Sequence, residues 1–156
     1  MKTLVIFYSK TGNTRKIGID IANQLKCDFE EIIDLKNRKG IFGFIFGGRD
    51  AMRKKLTNIK EISKKIDSYD LIIIGTPNWG SSICPATRTF LENNKATIKK
   101  AAFFCTMGGN SPGKTFIQME EIIGKPISTV AIQAKELKGN DYINKVNEFV
   151  NGVKNL

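Results

Sequence analysis

Short apolar runs alternate with stretches of helical periodicity along this chain, and this alternation constrains the fold more than any other feature. Continuous apolar runs rich in branched and aromatic side chains are typical of strands buried on both faces. Between them, apolar residues recur at helical spacing, as Ile17, Ile21 and Leu25 do after the first run. The predicted strands are Lys2–Tyr8, Phe29–Asp34, Asp70–Gly75, Lys100–Thr106 and Pro126–Gln133, and later helices are predicted near 84–94, 114–123 and 140–153.

Strands that alternate with helices predict an α/β fold with a parallel sheet. Right-handed crossovers place helices on both faces of that sheet and leave few topologies open. The length of 156 residues suits a single domain, 1–156, with its own buried core. In such doubly wound sheets, ligands bind at the carboxyl ends of the strands, near the point where the strand order reverses. The loops after the first, third and fourth strands are therefore the candidate functional segments.

The cysteine and histidine content restricts the reactions that the side chains of this chain can catalyse. Cys27, Cys84 and Cys105 are widely spaced and form no CxxC motif, so neither a disulfide framework nor a zinc site is indicated. The chain contains no histidine, which removes the commonest general base and metal ligand. We therefore expect no catalytic side chain and no metal ligand, and a bound cofactor would supply the chemistry. At Cys84, beside Pro85, a helix dipole could lower the pKa of the thiol, and a buried inert thiol is the favoured alternative.

Membrane and export signals are not recognisable in the sequence. No apolar stretch approaches the roughly 20 residues that a membrane-spanning helix needs. The apolar run Thr3–Tyr8 is too short for a signal peptide, and polar residues follow it at once. These features predict a cytoplasmic protein without a membrane span.

The first candidate loop follows the first strand and opens a helix. Backbone N–H groups at such a junction converge on one spot, with the positive end of the helix dipole behind them. Hydroxyl and amide side chains add donors, and a glycine lets the backbone approach a ligand closely. This combination favours a phosphate monoester, and the alternative is an N-cap with a polar turn. The residues concerned are Ser9, Lys10, Thr11, Gly12, Asn13 and Thr14.

The second candidate loop follows the third strand and carries Trp79, the one tryptophan of the chain. A tryptophan usually packs in a core, but a Pro-Asn-Trp-Gly turn is expected to leave the ring partly exposed. A flat aromatic beside a phosphate site predicts stacking on a planar ring system. The loop residues are Thr76, Pro77, Asn78, Trp79 and Gly80.

The third candidate loop follows the fourth strand and contains Thr106, Met107, Gly108 and Gly109. Two consecutive glycines free the backbone to approach a ligand and to donate N–H groups to it. A plain turn is the alternative for this loop taken alone.

Together these loops resemble the three FMN-contacting loops of flavodoxins, and the likeness covers essentially the whole chain. The resemblance implies a doubly wound, flavodoxin-like sheet of five parallel strands in the order 2-1-3-4-5, with helices on both faces and one bound FMN. It implies that Ser9–Thr14 holds the FMN phosphate and that Trp79 stacks on the isoalloxazine. The Asn78–Gly80 backbone would lie near the flavin N5, and Thr106–Gly109 would meet the pyrimidine edge.

A second phosphate-binding pattern, GxxxxGK[ST], is matched by Gly108–Thr115 between a predicted strand and a predicted helix. Only 41 residues follow Thr115, too few for the rest of a nucleotide-triphosphatase core. The one later strand, Pro126–Gln133, contains no aspartate that could hold magnesium. We therefore interpret the match as a chance pattern and do not predict ATP or GTP hydrolysis.

The formal net charge is +10, and residues 36–65 supply most of it, with ten basic residues against two acidic ones and a net charge of +8. The same segment contains Ile41–Gly48, which is unusually aromatic for a surface connection. One interpretation is a helix whose phenylalanines pack on the sheet while its lysines are solvated. Another is a docking face for an acidic partner or a second subunit, including a homodimer through residues 36–56. The third is a nucleic-acid or anionic-membrane surface, although no nucleic-acid module is recognisable and no nucleic-acid partner is predicted.

Two departures from the flavodoxin pattern bear on function. Carrier flavodoxins are generally acidic, so this basic chain is not expected to dock on the usual basic partners of that family. Many flavodoxins cover the second flavin face with an aromatic residue of the third loop, where this chain has Met107. An open flavin face would admit a nicotinamide, a quinone or another small oxidant.

Three functions remain open at this point. The favoured one is an FMN-dependent electron carrier with a redox protein partner, which the basic surface suggests is acidic. The alternative is a flavodoxin-like NAD(P)H-dependent quinone reductase that takes a small redox substrate. A non-flavin binding module that uses the basic surface is the third.

Overall fold

The computed structural model describes residues 1–155. Strands and helices alternate as the apolar runs predict, with one additional short strand, β4. The strands are β1 (Thr3–Phe7), β2 (Asp28–Glu31), β3 (Leu71–Trp79), β4 (Ser82–Ile83), β5 (Ala101–Met107) and β6 (Thr129–Gln133). The helices are α1 (Asn13–Leu25), α2 (Gly40–Met52), α3 (Pro85–Asn94), α4 (Thr115–Ile123) and α5 (Asp141–Lys154), and Ile66–Ser68 and Ala134–Lys138 are 3-10 helices.

Five of the strands form a parallel sheet in the spatial order β2-β1-β3-β5-β6, and β4 pairs with the end of β3. Counted without β4, this is the doubly wound order 2-1-3-4-5, so the predicted flavodoxin-like fold class is confirmed. β1 and β3 are neighbours, with Leu4 opposite Ile72 and Phe7 opposite Gly75. The strand order reverses between β1 and β3, and a crevice therefore opens beyond their carboxyl ends.

The central strands contribute side chains to two apolar cores, one on each face of the sheet. Val5, Phe7 and Ile73 pack on one face with residues of α1 and α5. Ile6 and Ile74 pack on the other face with residues of α3 and α4. All five side chains are fully buried, and burial of each contributes about 1.5–3 kcal/mol before entropic costs. The sheet is thus a well-packed base for the segments at its carboxyl edge.

The third strand is longer than the sequence predicts. The apolar run ends at Gly75, but β3 continues to Trp79 and then turns back into β4. Gly80 and Ser81 form the turn with positive φ angles of 57° and 60°, which is the geometry of a tight two-residue hairpin. The second candidate segment is therefore mostly strand and not loop.

Helix α2 lies within the basic segment, but it packs in the opposite orientation to the one expected. Its buried residues are Gly47, Asp50 and Ala51, whereas Phe42 and Phe44 are 75% and 71% exposed. The interpretation in which the phenylalanines pack on the sheet is therefore wrong, because the small residues of α2 face the protein. Within the described residues, no helix is both long enough and apolar enough to cross a membrane.

A buried ion-pair network holds α2 in this orientation. Asp50 accepts hydrogen bonds from Lys36 Nζ at 2.9 Å and Arg38 Nη1 at 3.1 Å, and Arg38 Nε donates to Asp34 at 2.7 Å. The side chains of Arg38, Asp34 and Asp50 are at most 4% exposed. Burial alone would raise the pKa of Asp50, but the hydrogen bonds from Lys36 and Arg38 outweigh it and hold the pKa below its ordinary value.

Candidate functional site

The first candidate loop spans the junction between β1 and α1, as predicted. Gly12 precedes α1 with a φ of 99°, in the left-handed region that disfavours side chains. Apart from Gly12 and its chain neighbours, no described residue has an atom within 4 Å of the position that a Gly12 Cβ would take. The Gly12 N–H donates to the Ser9 hydroxyl at 3.1 Å. The loop therefore curls beside open space at the N-terminus of α1.

The N-terminus of α1 is free to receive an anion. Within residues 1–155, no side chain caps this helix with a hydrogen bond. Helical bonding begins where the Lys16 N–H donates to the Gly12 carbonyl at 2.9 Å, so the N–H groups of the first turn have no partner inside the helix. Free N–H groups together with the helix dipole favour a phosphate group at this position.

A buried hydrogen bond ties the first segment to the third. The hydroxyls of Thr14 and Thr106 are 2.7 Å apart, and both residues are buried. One hydroxyl must donate to the other, so the pair keeps one O–H proton that can be donated to a ligand. The structure thus brings together two residues that sequence reasoning assigned to different parts of the ligand.

Trp79 is half-buried at the end of β3, and its indole is held from several sides. Tyr8 meets the indole edge to face, with ring centroids 5.6 Å apart. A Cβ on Gly47 would lie 3.0 Å from the indole Cζ3, so the absence of a side chain lets α2 approach the ring. The Nζ of Lys10 and the Cζ of Arg38 lie 5.8 Å and 5.9 Å from its centroid. Sequence reasoning found Trp79 and missed Tyr8, Gly47 and Arg38, which position it.

One sequence signal could have revealed the contact between α2 and the indole. Gly43, Gly47 and Ala51 recur every four residues and therefore line one helix face, where small residues permit close packing. Nothing comparable marks Tyr8, which lies just after β1 and whose pKa is raised above its ordinary value by burial. Its hydroxyl therefore stays protonated beside the indole.

Thr76 turns its side chain away from the candidate site. The residue is fully buried, donates to the Pro77 carbonyl at 2.9 Å and accepts from the Cys84 N–H at 3.4 Å. Its side chain therefore does not contribute to the surface of the candidate site. Cys84 is also fully buried, and burial raises the pKa of its thiol. The prediction of a lowered pKa is wrong, and the alternative of a buried thiol is confirmed.

The third candidate segment is partly strand. Thr106 and Met107 are the last residues of β5, and both are buried. Gly108 and Gly109 follow as exposed residues, and apart from each glycine and its chain neighbours, no described residue has an atom within 4 Å of either Cβ position. The Gly109 carbonyl accepts a hydrogen bond from Gln133 Nε2 at 2.8 Å. The open part of this segment is therefore the glycine pair, and Met107 does not extend over the surface.

The three segments meet at the carboxyl edge of the sheet. The bond between Thr14 and Thr106 joins the first to the third. Asn78 Nδ2 donates to the Ser111 carbonyl at 3.4 Å and joins the second segment to the residues just after the third. The edge therefore combines an anion site, an aromatic ring and an open glycine backbone, which suits a phosphate monoester that carries a planar ring.

The model of the NADPH-dependent FMN reductase family matches residues 1–137, which contain all three segments. The chain belongs to this family. The prediction of a flavodoxin-like flavoprotein with FMN as its cofactor is thereby confirmed. No functionally curated protein shows significant sequence similarity to the chain.

Solved structures share the fold of this family member. A flavoprotein from Lactobacillus acidophilus NCFM, in complex with FMN, has a TM-score of 0.72 at 23% identity, over 88% of this chain and 96% of that one. Oxidised Flavodoxin 1 from Bacillus cereus has a TM-score of 0.60 at 19% identity, over 100% of this chain and 99% of that one. Oxidised Flavodoxin 2 from Bacillus cereus has a TM-score of 0.62 at 17% identity, over 100% of both chains. These likenesses agree with the strand order described above.

The second phosphate-binding pattern has a geometry unlike that of a magnesium site. The hydroxyl of a Walker-type threonine must reach the metal ion, but Thr115 is fully buried at the start of α4. The Lys114 N–H donates to the Ser81 carbonyl at 2.8 Å and ties this loop to the β3–β4 turn. These contacts support the interpretation of Gly108–Thr115 as a chance match.

Proposed function

We propose that this chain binds one FMN across the carboxyl ends of β1, β3 and β5 and uses it for electron transfer. The observation that carries the proposal is the uncapped N-terminus of α1, which Gly12 opens at the same sheet edge as Trp79 and Gly108–Gly109. A phosphate monoester attached to a planar ring is the ligand chemistry that uses all three features.

Each segment has a distinct role in this proposal. The N–H groups and hydroxyls of Ser9–Thr14 hold the phosphate, and Lys10 adds a positive charge beside it. The indole of Trp79 contacts the isoalloxazine, while the backbones of Asn78–Gly80 and Thr106–Gly109 meet its edges. FMN supplies one- and two-electron transfer when bound. The side chains bind and orient the ring and exclude water from its buried edge.

A second candidate function, an NAD(P)H-dependent reductase, is favoured by a specific observation. Met107 is buried and Gly108 and Gly109 are exposed, so no aromatic side chain of this segment covers the space above them. A nicotinamide or a quinone could therefore approach a flavin there. The family description, which names an NADPH-dependent reductase, agrees with this access.

One experiment separates these functions. The purified protein is incubated with FMN, excess flavin is removed, and NADPH is added without oxygen while the visible spectrum is recorded. Free FMN at equal concentration serves as the control. An electron carrier retains an oxidised flavin that dithionite reduces and NADPH does not. In a reductase, NADPH alone reduces the bound flavin, and the visible absorption of the flavin is lost. A colourless protein contradicts both functions and favours the non-flavin binding module.

The partner and the location are further parts of the proposal. A redox partner would be an acidic protein or a small substrate that reaches the exposed flavin edge, because the surface charge is strongly positive. A homodimer through residues 36–56 stays an alternative prediction. Cys27, Cys84 and Cys105 are free thiols, which supports the reducing cytoplasm as the location. The chain would work there as one domain, 1–156.

A further inference from the structure

The outer face of α2 exposes large apolar side chains, and one side of it, with Phe44, Ile45 and Met52, borders the cavity that Asn78, Trp79 and Gly80 also line. Ile41 is 78% exposed and Ile45 is 56% exposed. A helix on a protein surface normally turns such residues inward, and a contiguous exposed apolar patch marks an interaction site. We call this patch the α2 face, and it consists of Ile41, Phe42, Phe44, Ile45, Phe46 and Met52.

Cations surround the α2 face. The Arg49 guanidinium lies 4.8 Å from the Phe46 ring centroid, and the Lys10 Nζ lies 5.7 Å from that of Phe44. The one acidic residue between positions 39 and 55, Asp50, is buried in its ion-pair network. The apolar surface therefore has a mainly positive rim, in which the exposed carboxylate of Glu121 on α4 pairs with Lys54 at 3.7 Å. The exposed cations of the stretch are Lys39, Arg49, Arg53, Lys54 and Lys55.

The charge and shape of this face favour one kind of occupant. A second copy docked through the same face by two-fold symmetry would bring the two sets of cations together. An acidic protein would match the charge, but it would need a hollow shaped to receive the projecting side chains of Phe42 and Phe44. A fluid bilayer surface needs no such complement, because acyl chains rearrange around inserted aromatic groups while lipid phosphates meet the cations.

We propose that α2 is an interfacial helix that docks on a bilayer surface rich in anionic phospholipid. Its thirteen residues lie along the surface, with Ile41 and Phe42 inserted among the lipids and the arginines and lysines at the headgroups. Gly47 packs against Trp79, so docking brings the edge that carries Trp79 close to the membrane surface. Binding of α2 to lipid does not depend on the flavin and is measured without FMN.

Flotation with lipid vesicles tests this proposal. One vesicle preparation contains equal parts of phosphatidylglycerol and phosphatidylcholine, and the other contains phosphatidylcholine alone. The double variant Ile41→Ser/Phe42→Ser removes exposed apolar groups, and Ile143→Ser on α5, on the opposite face of the sheet, is its control. Lys39→Gln/Arg53→Gln removes two rim charges, and Lys138→Gln/Lys154→Gln removes two charges elsewhere. Circular dichroism confirms that every variant is folded.

The wild-type protein should float with the anionic vesicles and stay in solution with the neutral ones. Both α2 variants should bind the anionic vesicles at least about tenfold more weakly than the wild type, since each cation near the surface contributes about fivefold to the affinity. Added salt should weaken the binding of the wild-type protein. Both controls should bind like the wild type. The proposal is overturned if the wild-type protein does not bind anionic vesicles or if it binds neutral vesicles equally well. It is also overturned if the control variants lose as much affinity as the α2 variants. A dimer that Ile41→Ser/Phe42→Ser dissociates, without lipid binding, would assign the face to a second copy.

Discussion

Gly12 is the residue at which backbone conformation matters most for the proposed site. Its φ of 99° lies in the left-handed region, and the space at its Cβ position is open. A side chain there would therefore strain the backbone without colliding with a neighbouring residue. We expect Gly12→Val to weaken FMN binding about tenfold, because this backbone region costs a side chain about 1–2 kcal/mol. A fluorescence titration with FMN measures the effect.

Gly139→Val is the matched control for this substitution. Gly139 also has open space at its Cβ position, but its φ is −124°, which any residue adopts. Equal losses of FMN affinity in the two variants would contradict a specific role for the Gly12 backbone.

The hydrogen bond between Thr14 and Thr106 makes a second prediction at this scale. Thr14→Val leaves the buried Thr106 hydroxyl without its partner, and we expect the free energy of unfolding to fall by about 1–2 kcal/mol. Urea denaturation measures this loss, and Thr106→Val should cost a similar amount. The double variant should lose clearly less than both single variants combined, because no unpaired hydroxyl remains. Strict additivity would mean that the two hydroxyls do not interact.

Individual site residues were predictable from the sequence only in part. The three segments follow from their places after predicted strands, because doubly wound sheets bind ligands at the carboxyl ends of their strands. The inward orientation of Thr76 and Met107 was not predictable, since the register at a strand end decides which face each side chain takes. Tyr8 and Arg38 contact Trp79 only through tertiary packing, which no local pattern encodes.

At the scale of elements, α2 shows why a pattern can predict a helix and miss its orientation. Apolar residues occur on nearly every side of its first two turns, so their spacing does not define a buried face. The orientation depends on the small residues Gly47 and Ala51 and on the buried carboxylate of Asp50. The partners of Asp50, Lys36 and Arg38, lie before the helix and become visible only in the folded structure.

The Asp50 network gives this element a pH-dependent stability. The pKa of Asp50 is lowered in the folded state from an ordinary value of 3.8, so the stabilisation is complete above that value. It is lost as the pH falls through the lower folded-state pKa, because the carboxylate must then bind a proton. We expect Asp50→Asn to lower the free energy of unfolding by about 2–4 kcal/mol at neutral pH. Denaturant unfolding at several pH values measures both effects.

The difference between wild type and Asp50→Asn should narrow below about pH 4, where the wild-type carboxylate also loses its charge. Asp141→Asn, at an exposed aspartate on α5, is the control and should leave both the stability and its pH profile nearly unchanged. A difference that stays constant down to acid unfolding would mean that the Asp50 charge does not anchor α2.

At the scale of the whole molecule, the α/β class with a parallel sheet followed from the sequence pattern, and the strand order followed from the resemblance to flavodoxins. Five apolar runs separated by helices admit few topologies, and a doubly wound sheet has one crevice where its order reverses. The short strand β4 was not predictable from apolar runs, because the two residues Ser82–Ile83 are too few to form such a run. The cationic rim was visible as charge in the sequence, but its position around an exposed apolar helix required the structure.

The central claim is that FMN binds at the edge formed by the three segments, and the single tryptophan allows one direct test. FMN is titrated into flavin-free protein while the emission of Trp79 and the emission of the flavin are both recorded. We predict that both are quenched together and that quenching is complete at one FMN per chain, because the indole contacts the isoalloxazine. Flavin quenching with unchanged Trp79 emission would place FMN elsewhere, and unchanged emission of both would contradict flavin binding.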